Sequence, residues 1–277
     1  MKKILALTVT LLLAIGLMTA CANEPAEPDT SATDVEEEVF VGGMLVRSNT
    51  AEEKINADME ELGYNTKTIF YNDLNTMLLA LQAGDIDMIA GISRAMADYV
   101  VARNSSLAID PLPFTDTVTY KMAVKADNTD LLESINGALK TLKNKGTLDK
   151  LVVDYISAYK TGTDEPAAVE MPVIEGADTV RIAVTGDIPP MDLINADGAP
   201  AGFNVALLAE MSKLMNVNFE LISMDSAART MSIATDKVDV IFWVAGSDVL
   251  GDYDLPDSLA ATDSYYVDNA ADVVLAK

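Results

Sequence analysis

The sequence predicts an α/β protein built as two similar lobes, each with a largely parallel sheet and helices on both faces. Three observations predict it. Strand and helix signals alternate through two segments, as β-α-β units require. A polar stretch at 161–178, carrying Gly162, Pro166, Pro172 and Gly176, separates the segments. Finally, a short internal echo links them: LQAGDIDMI at 81–89 answers IATDKVDVI at 233–241, each reading as helix, tight turn and apolar strand with one aspartate, Asp87 or Asp239. Half of the 277 residues are apolar, enough for one or two substantial cores.

The N-terminus reads as a targeting segment. Lys2 and Lys3 form a basic start and Ile4 to Met18 an apolar stretch, too short and wrongly flanked to span a membrane. Leu17-Met18-Thr19-Ala20-Cys21 resembles a bacterial lipobox, with Met18 where Leu is usual. Residues 1–20 are then a signal peptide, and Cys21 becomes the lipidated first residue of the mature chain. An ordinary signal peptide followed by a stray cysteine is the other reading. Cys21 is the single cysteine, so no internal disulfide forms. Residues 21–38, acidic and Pro-containing, read as a flexible tether.

In the first segment, Val39 to Arg47 has strand character, and Ser48-Asn49-Thr50 supplies capping side chains for a helix over 51–62. Acids at Glu52 and Glu53 suit its first turn. Thr66 to Tyr71 is β-rich. Asn72 or Asp73 caps the next helix, where Met77, Leu78 and Leu81 keep helical spacing until Gly84 ends it. Ile86 to Ala90 follows as a buried strand, then a helix through Val100. Lys121 to Lys125 is a strand, and helices are expected over 130–143 and 147–159.

The second segment opens with a strand from Val180 to Thr185, then Pro189-Pro190 and an Asp197-Gly198 turn. A helix is expected over 204–215, a strand over 219–224, a helix over 226–235 and a strand over 238–244. Tyr265 to Ala276 closes the chain with alternating β character.

Composition excludes several functions. Forty-three acids face nineteen basic residues, a formal net charge of −24, and removing residues 1–20 makes it more negative. Nucleic acid needs a basic footprint that is missing here. Peripheral binding to anionic lipid is disfavoured too, so membrane attachment rests on the lipid at Cys21. The chain contains no histidine, which removes Ser-His-Asp and Cys-His catalysis and the commonest zinc ligand. No catalytic residue, metal or cofactor is expected.

The motifs resemble those of the polar amino-acid-type solute-binding proteins of ABC importers, extracellular solute-binding protein family 3. Arg181-Ile-Ala-Val, Ile188-Pro-Pro-Met191, Gly202-Phe203-Asn204, Lys237-Val-Asp-Val and Thr262-Asp-Ser-Tyr-Tyr266 look like the family's first lobe. Val46 to Glu53, Leu78 to Asp87, Tyr99-Val100, Pro113-Phe114, Met122-Ala-Val-Lys and Gly146-Thr147-Leu148 look like its C-terminal half. The resemblance implies a two-lobed periplasmic-binding-protein type 2 fold, circularly permuted so that the second lobe comes first. The divisions are 39–120 for the second lobe, 121–160 for a hinge strand and helices returning to the first lobe, 161–178 for a flexible linker and 179–277 for the first lobe. One covalent crossing near Thr119–Val124 would remain, unless the last strand, about 270–276, pairs beside it.

The resemblance also implies a solute cleft between the lobes, lined by Thr185, Ile188, Met191, Ser226, Trp243, Val244 and Gly246 from the first lobe. Arg47, Asn49, Thr50 and Ile92 come from the second. Several of these have a second reading: Thr50 as a helix cap, Trp243, Ile188 and Met191 as core. Two family positions depart. The usual anion-clamping Arg falls in Ser247–Asp254, on Gly251 by gapless count, and the usual Asp falls on Ile92, so an ordinary α-amino acid lacks its clamps. Arg47, Arg94 or Arg229 could replace the former, though solvated surface positions are the simpler expectation. Asp192, Asp248 and Asp252 could meet a cationic group. The implied partners are a small-molecule solute and an ABC permease, with the protein a membrane-anchored extracytoplasmic monomer. The alternatives are a same-fold sensor or interaction lipoprotein without transport ligand, and a periplasmic dehydratase-like enzyme.

Overall fold

In a computed structural model, the structure describes residues 39–46, 51–110, 117–247 and 255–277. The signal peptide, Cys21 and the tether lie outside them. Thirteen strands and seven α-helices are described. From the first segment come β1 (Phe40–Leu45), α1 (Glu52–Glu61), β2 (Thr66–Tyr71), α2 (Leu74–Ala83), β3 (Met88–Ser93), α3 (Arg94–Arg103), β4 (Leu107–Asp110), β5 (Thr117–Lys125), α4 (Thr129–Asn144) and α5 (Thr147–Tyr155). From the second come β6 (Thr179–Val184), β7 (Asp187–Ile188), β8 (Asp192–Ile194), β9 (Pro200–Ala201), α6 (Phe203–Met215), β10 (Asn218–Ser223), α7 (Ala228–Ala234), β11 (Val240–Ser247), β12 (Leu259–Ala261) and β13 (Tyr266–Leu275). The longer predicted elements all form; β4, β7, β8, β9 and β12, each of two to four residues, were not foreseen.

Ten strands join in one hydrogen-bonded sheet, eight along a single path with β4 and β12 branching from it, and they sort into two halves with the same plan. One half runs β2-β1-β3-β13-β4 and the other β10-β6-β11-β5-β12. In each, three parallel strands are followed by an antiparallel fourth, with a short fifth antiparallel to it. This is the two-lobed α/β arrangement expected from the sequence.

The internal echo has a structural cause. In one half, the Asp87 carboxylate accepts from Val41 N–H at 2.7 Å while Asp87 N–H donates to Val41 C=O at 2.8 Å. In the other, Asp239 accepts from Arg181 N–H at 2.8 Å while its own N–H donates to Arg181 C=O, also at 2.8 Å. Each aspartate locks the entry of its half's third strand to the first strand. Arg181 also grips Asp239 through its guanidinium, at 2.7 Å from Nη2. Burial works against the Asp239 charge, but the Arg181 bonds prevail and its pKa is lowered.

β5 and β13 connect the halves. Tyr266–Asn269 pairs antiparallel with Thr117–Tyr120, after which the same strand continues as Ala270–Leu275 beside β3 and β4. The last strand therefore pairs beside the β5 crossing and itself crosses, so two strands span the halves rather than one. Arg103, at the end of α3, adds a tie. It donates to the carbonyls of Tyr159, at 3.2 Å, and Asp164, both on the far side of α5.

The linker expected to be flexible is held against its neighbours. Val169 N–H donates to Pro200 C=O at 2.9 Å, and the Asn218 side chain receives Ile174 N–H at 2.8 Å while donating back to Ile174 and Ala177 carbonyls. Asn218 satisfies backbone groups that a loop of this composition leaves unpaired, a role its type does not announce in the sequence.

Two glycines permit close approach. A Cβ on Gly43 would lie 2.5 Å from Ile86 and 2.9 Å from Met77, so α2 packs directly on β1. Gly202, at φ +102°, would place a Cβ 2.5 Å from the Met191 carbonyl, which receives the Asn204 N–H at 2.7 Å. Gly202→Ala meets both a backbone clash and a left-handed conformation, so it should cost about 2 kcal/mol or more. Urea unfolding of the two proteins measures it, and an unchanged midpoint would contradict the packing.

Candidate functional site

The C-terminal ends of the parallel strands in the two halves approach each other beside the β5–β13 crossing. From one side come β6, the β7–β8 turn, the loop before α7 and the outer part of β11. From the other come the ends of β2 and β3 with the starts of α2 and α3. Ligands of open α/β sheets bind at such strand ends. Two hydrogen bonds bridge the sides directly: Ser226 N–H donates to Asn72 C=O at 3.4 Å, and Leu74 N–H, at the start of α2, donates to the Asp187 carboxylate.

Thr185, Ile188, Met191, Ser226 and Trp243 are all buried on the β6, β7 and β11 side, and Ile92 is buried in β3. Ile188, Met191, Trp243 and Ile92 share one continuous core. Val244 instead packs with Ile241, Ala183 and Ile233 in a smaller cluster. Gly246 is a buried ladder residue opposite Thr119. Arg47, Asn49, Thr50, Asp248, Gly251 and Asp252 lie outside the described residues. Arg94 is exposed and pairs with Asp98 at 2.7 Å, so it sits on a solvated helix face as expected.

Trp243 is 7% exposed and stacks on Tyr120, with ring centroids 3.9 Å apart and planes 17° from parallel. Tyr120 also faces Tyr266 at 6.1 Å. The three rings join β11, β5 and β13, so the indole face is already covered by a strand of the crossing. Trp243 has φ +66° within the bulge that shifts β11 between Ile241 and Val244. That backbone is costly for a side chain of its size, and such outliers persist only where surroundings over-determine them.

Arg229 supplies the restraint, and its place corrects the expectation of a solvated helix face. It is 5% exposed, and its guanidinium donates to the carbonyls of Phe242 and, at 3.2 Å, Trp243, with Nε 3.4 Å from Ser226 C=O. A bulge turns strand carbonyls away from ladder partners, and the five donors of an arginine can collect them.

Asp192 is likewise buried and internally engaged. Its carboxylate receives Thr185 Oγ1 at 2.7 Å, Gly186 N–H at 2.6 Å and Asn204 Nδ2 at 2.9 Å, tying the end of β6 to the start of α6. Asp187, which sequence reasoning passed over, faces the opposite half. Burial pushes its carboxyl pKa up and the Asp192 charge adds to the rise, while Thr185 and the Leu74 N–H oppose it. Asp73 caps α2 through Thr76 N–H at 2.7 Å and adds further negative charge nearby. Only its place between Gly186 and Ile188, at the end of a first strand, could have flagged Asp187. At the start of α3, Asp268 of β13 receives Ala95 N–H at 2.8 Å, and the Tyr266 hydroxyl donates to it at 2.9 Å. Among the described residues, no group of three or more acidic or cysteine side chains could hold a metal ion, and no helix is long and apolar enough to cross a membrane.

Two halves of one plan, meeting at strand ends across a paired crossing, define a bilobal α/β scaffold. Residues 180–245, from β6 into β11, match the family model of the bacterial extracellular solute-binding proteins, family 3. No curated protein sequence matches the chain significantly. Among solved structures, it is similar to the ligand-binding component of an ABC-type import system from Staphylococcus aureus. The identity is 11% and the TM-score 0.41, over 86% of this chain and 66% of that one, so the chain spans just under two thirds of that structure's length. Immunogenic lipoprotein A from Vibrio vulnificus is 14% identical with TM-score 0.40, over 85% and 87% of the two chains. A pheromone cOB1 precursor/lipoprotein of the YaeC family from Enterococcus faecalis V583 is 12% identical with TM-score 0.44, over 86% and 85%.

Two outcomes are expected from these contacts. Arg229→Ala frees the Trp243 bulge and should lower stability by about 2–3 kcal/mol, with a shift in tryptophan emission because Trp243 is the only fluorophore of its kind. Unchanged emission would show that the guanidinium does not hold the bulge. Asp187 has a raised folded-state pKa, so its ionised form destabilises the fold above that pKa and the penalty vanishes as pH falls toward the unfolded value. Asp187→Asn should therefore raise Tm by about 1–3 °C at pH 7, and the gain should shrink on acidification. A gain that is constant with pH would refute the assignment.

Proposed function

We propose that this chain is an extracytoplasmic, lipid-anchored solute-binding protein that captures a small polar or aromatic solute between its lobes and presents it to an ABC permease. The observation that carries this reading is the meeting of both halves' strand C-terminal ends beside the β5–β13 crossing, in a chain whose residues 180–245 match a solute-binding family. Thr185, Ile188, Met191, Ser226, Trp243, Val244 and Gly246 would line one wall, and Arg47, Asn49, Thr50 and Ile92 the other. Val244 and Gly246 would contribute through their backbone, since one packs inward and the other sits in the ladder. The second lobe comprises residues 39–120 and the first 179–277, with β13 reaching from one into the other. Placing the second lobe first corresponds to a circular permutation that leaves both crossings covalent. The protein works as a monomer without metal or cofactor and performs no catalysis.

A specific observation supports a second reading, a sensor or interaction lipoprotein that keeps the scaffold and closes on itself. Trp243 is stacked on Tyr120, and the starts of α2 and α3 are occupied by the chain's own Asp187 and Asp268.

A thermal-shift screen with amino acids, aromatic acids, opines and polyamines separates the two. Solute capture predicts a hit that raises Tm by several degrees and perturbs Trp243 emission. Silence across the library would favour the self-closed reading. Mass spectrometry of the membrane-extracted protein should show a lipid-modified N-terminal Cys21; an unmodified cysteine would remove the anchor.

A further inference from the structure

The ten-stranded sheet ends at β2, which pairs with β1 alone. Phe40 N–H donates to Asn65 C=O at 3.1 Å and Val46 N–H to Tyr71 C=O at 2.9 Å, so the odd-numbered residues here turn their backbone groups toward β1. Backbone groups alternate in direction along a strand, which leaves Thr66, Thr68 and Phe70 pointing outward. At this free edge the chain supplies side chains from α1. Asn56 Oδ1 accepts the Thr68 N–H at 2.6 Å while its Nδ2 donates to the Thr68 C=O at 3.3 Å. Glu52, one turn earlier on the same side of α1, accepts the Phe70 N–H at 2.9 Å. We propose that Glu52 and Asn56 form an edge guard: they occupy the free side of β2, and without them that edge pairs antiparallel with the same edge of a second copy of this chain.

The bonding pattern is the first argument. A primary amide offers one acceptor and one donor, as the peptide group of a neighbouring strand does. Asn56 therefore stands where a strand would stand. Burial is the second. Thr68 is 3% exposed, so its backbone groups have no water to turn to, and leaving them unpaired is costly. α1 itself fully buries a single residue, Ile55, so its hold on the sheet leans on this polar row.

The strand is the third argument. Thr66–Tyr71, TKTIFY, has five β-favouring residues, one lysine and no proline, a composition that pairs readily once its edge is open. A two-fold axis at Thr68 makes the edge its own partner. Thr68 then exchanges both bonds with its copy, and Thr66 faces Phe70. The inference stands whether or not the chain captures a solute.

Light scattering coupled to size-exclusion chromatography of the full chain tests it. The unaltered protein should elute at the monomer mass, and Glu52→Ala/Asn56→Ala should double that mass. Adding Thr68→Pro removes the central donor of the new ladder, in a position where proline is tolerated because the N–H faces away from β1. The triple variant should return to the monomer mass. A double variant that stays monomeric overturns the proposal. So does an unaltered protein that is already dimeric, or a dimer that survives Thr68→Pro and therefore forms elsewhere. If either variant fails to fold, amide exchange in the unaltered chain decides. Exchange at Thr68 and Phe70 as slow as at Ile69, whose N–H faces β1, supports the guard; exchange at the rate of unbonded amides rejects it.

Discussion

The fold depends on the antiparallel pairing of β5 with β13. Each half contains only three parallel strands of its own before it needs an antiparallel fourth. β5 fills that place in one half after leaving the other, and the outer part of β13 does the reverse. Where the two strands pass, Thr117–Tyr120 and Tyr266–Asn269 bond to one another, so the connection is also a sheet. A backbone ladder resists shear along the strands but bends across them. Tyr120, with Trp243 on one side and Tyr266 on the other, adds an aromatic stack to that seam.

This arrangement explains how either half could come first in the chain without loss of the architecture. What a lobe requires is a set of ladder partners in the right order, and hydrogen bonds are indifferent to which strand was synthesised first. The two aspartate locks at Asp87 and Asp239 show the same economy. A carboxylate one residue before the third strand satisfies the first strand's N–H, and it does so whichever half comes first.

How much was legible in the sequence follows from range. Helices and long strands carry their signal locally, in spacing and caps: Asp73 and Gly84 bracket α2 as read, with Asp73 accepting from Thr76 and Gly84 in the left-handed region. The Asp87 and Asp239 echo was visible because it repeats. The short strands β4 and β12 were not, because three or four residues carry no period and are strands only by virtue of β13 and β5 beside them. The candidate site was legible as positions but not as contacts. Arg229 looks like any surface arginine until the β11 bulge presents two carbonyls to it, and that bulge is a property of strand pairing. Asp187 and Asp192 differ only by their neighbours, one turned to the opposite half and the other consumed by Thr185, Gly186 and Asn204. Nothing in 161–178 signals that Asn218 will hold it.

The electrostatics of the meeting surface constrain what any solute can use. Helix N-termini are the ordinary means of holding an anionic group, but here three are occupied by the protein's own carboxylates. α2 has Asp73 and Asp187, α3 has Asp268, and α7 has Asp225, which accepts from Ala228 N–H at 2.8 Å. A solute carboxylate arriving at any of them must displace a tethered one, which has the advantage of proximity. The start of α1 differs: Ala51 stands at its N-cap position and makes no side-chain cap bond, directly after the expected Asn49 and Thr50. Under the proposed solute-binding reading, an anionic end of a solute would meet that helix start, despite Glu52 and Glu53 in its first turn, and a cationic end would meet Asp187. A solute with separated negative and positive ends would satisfy both, and its positive end would offset the burial and the Asp192 repulsion that now raise the Asp187 pKa.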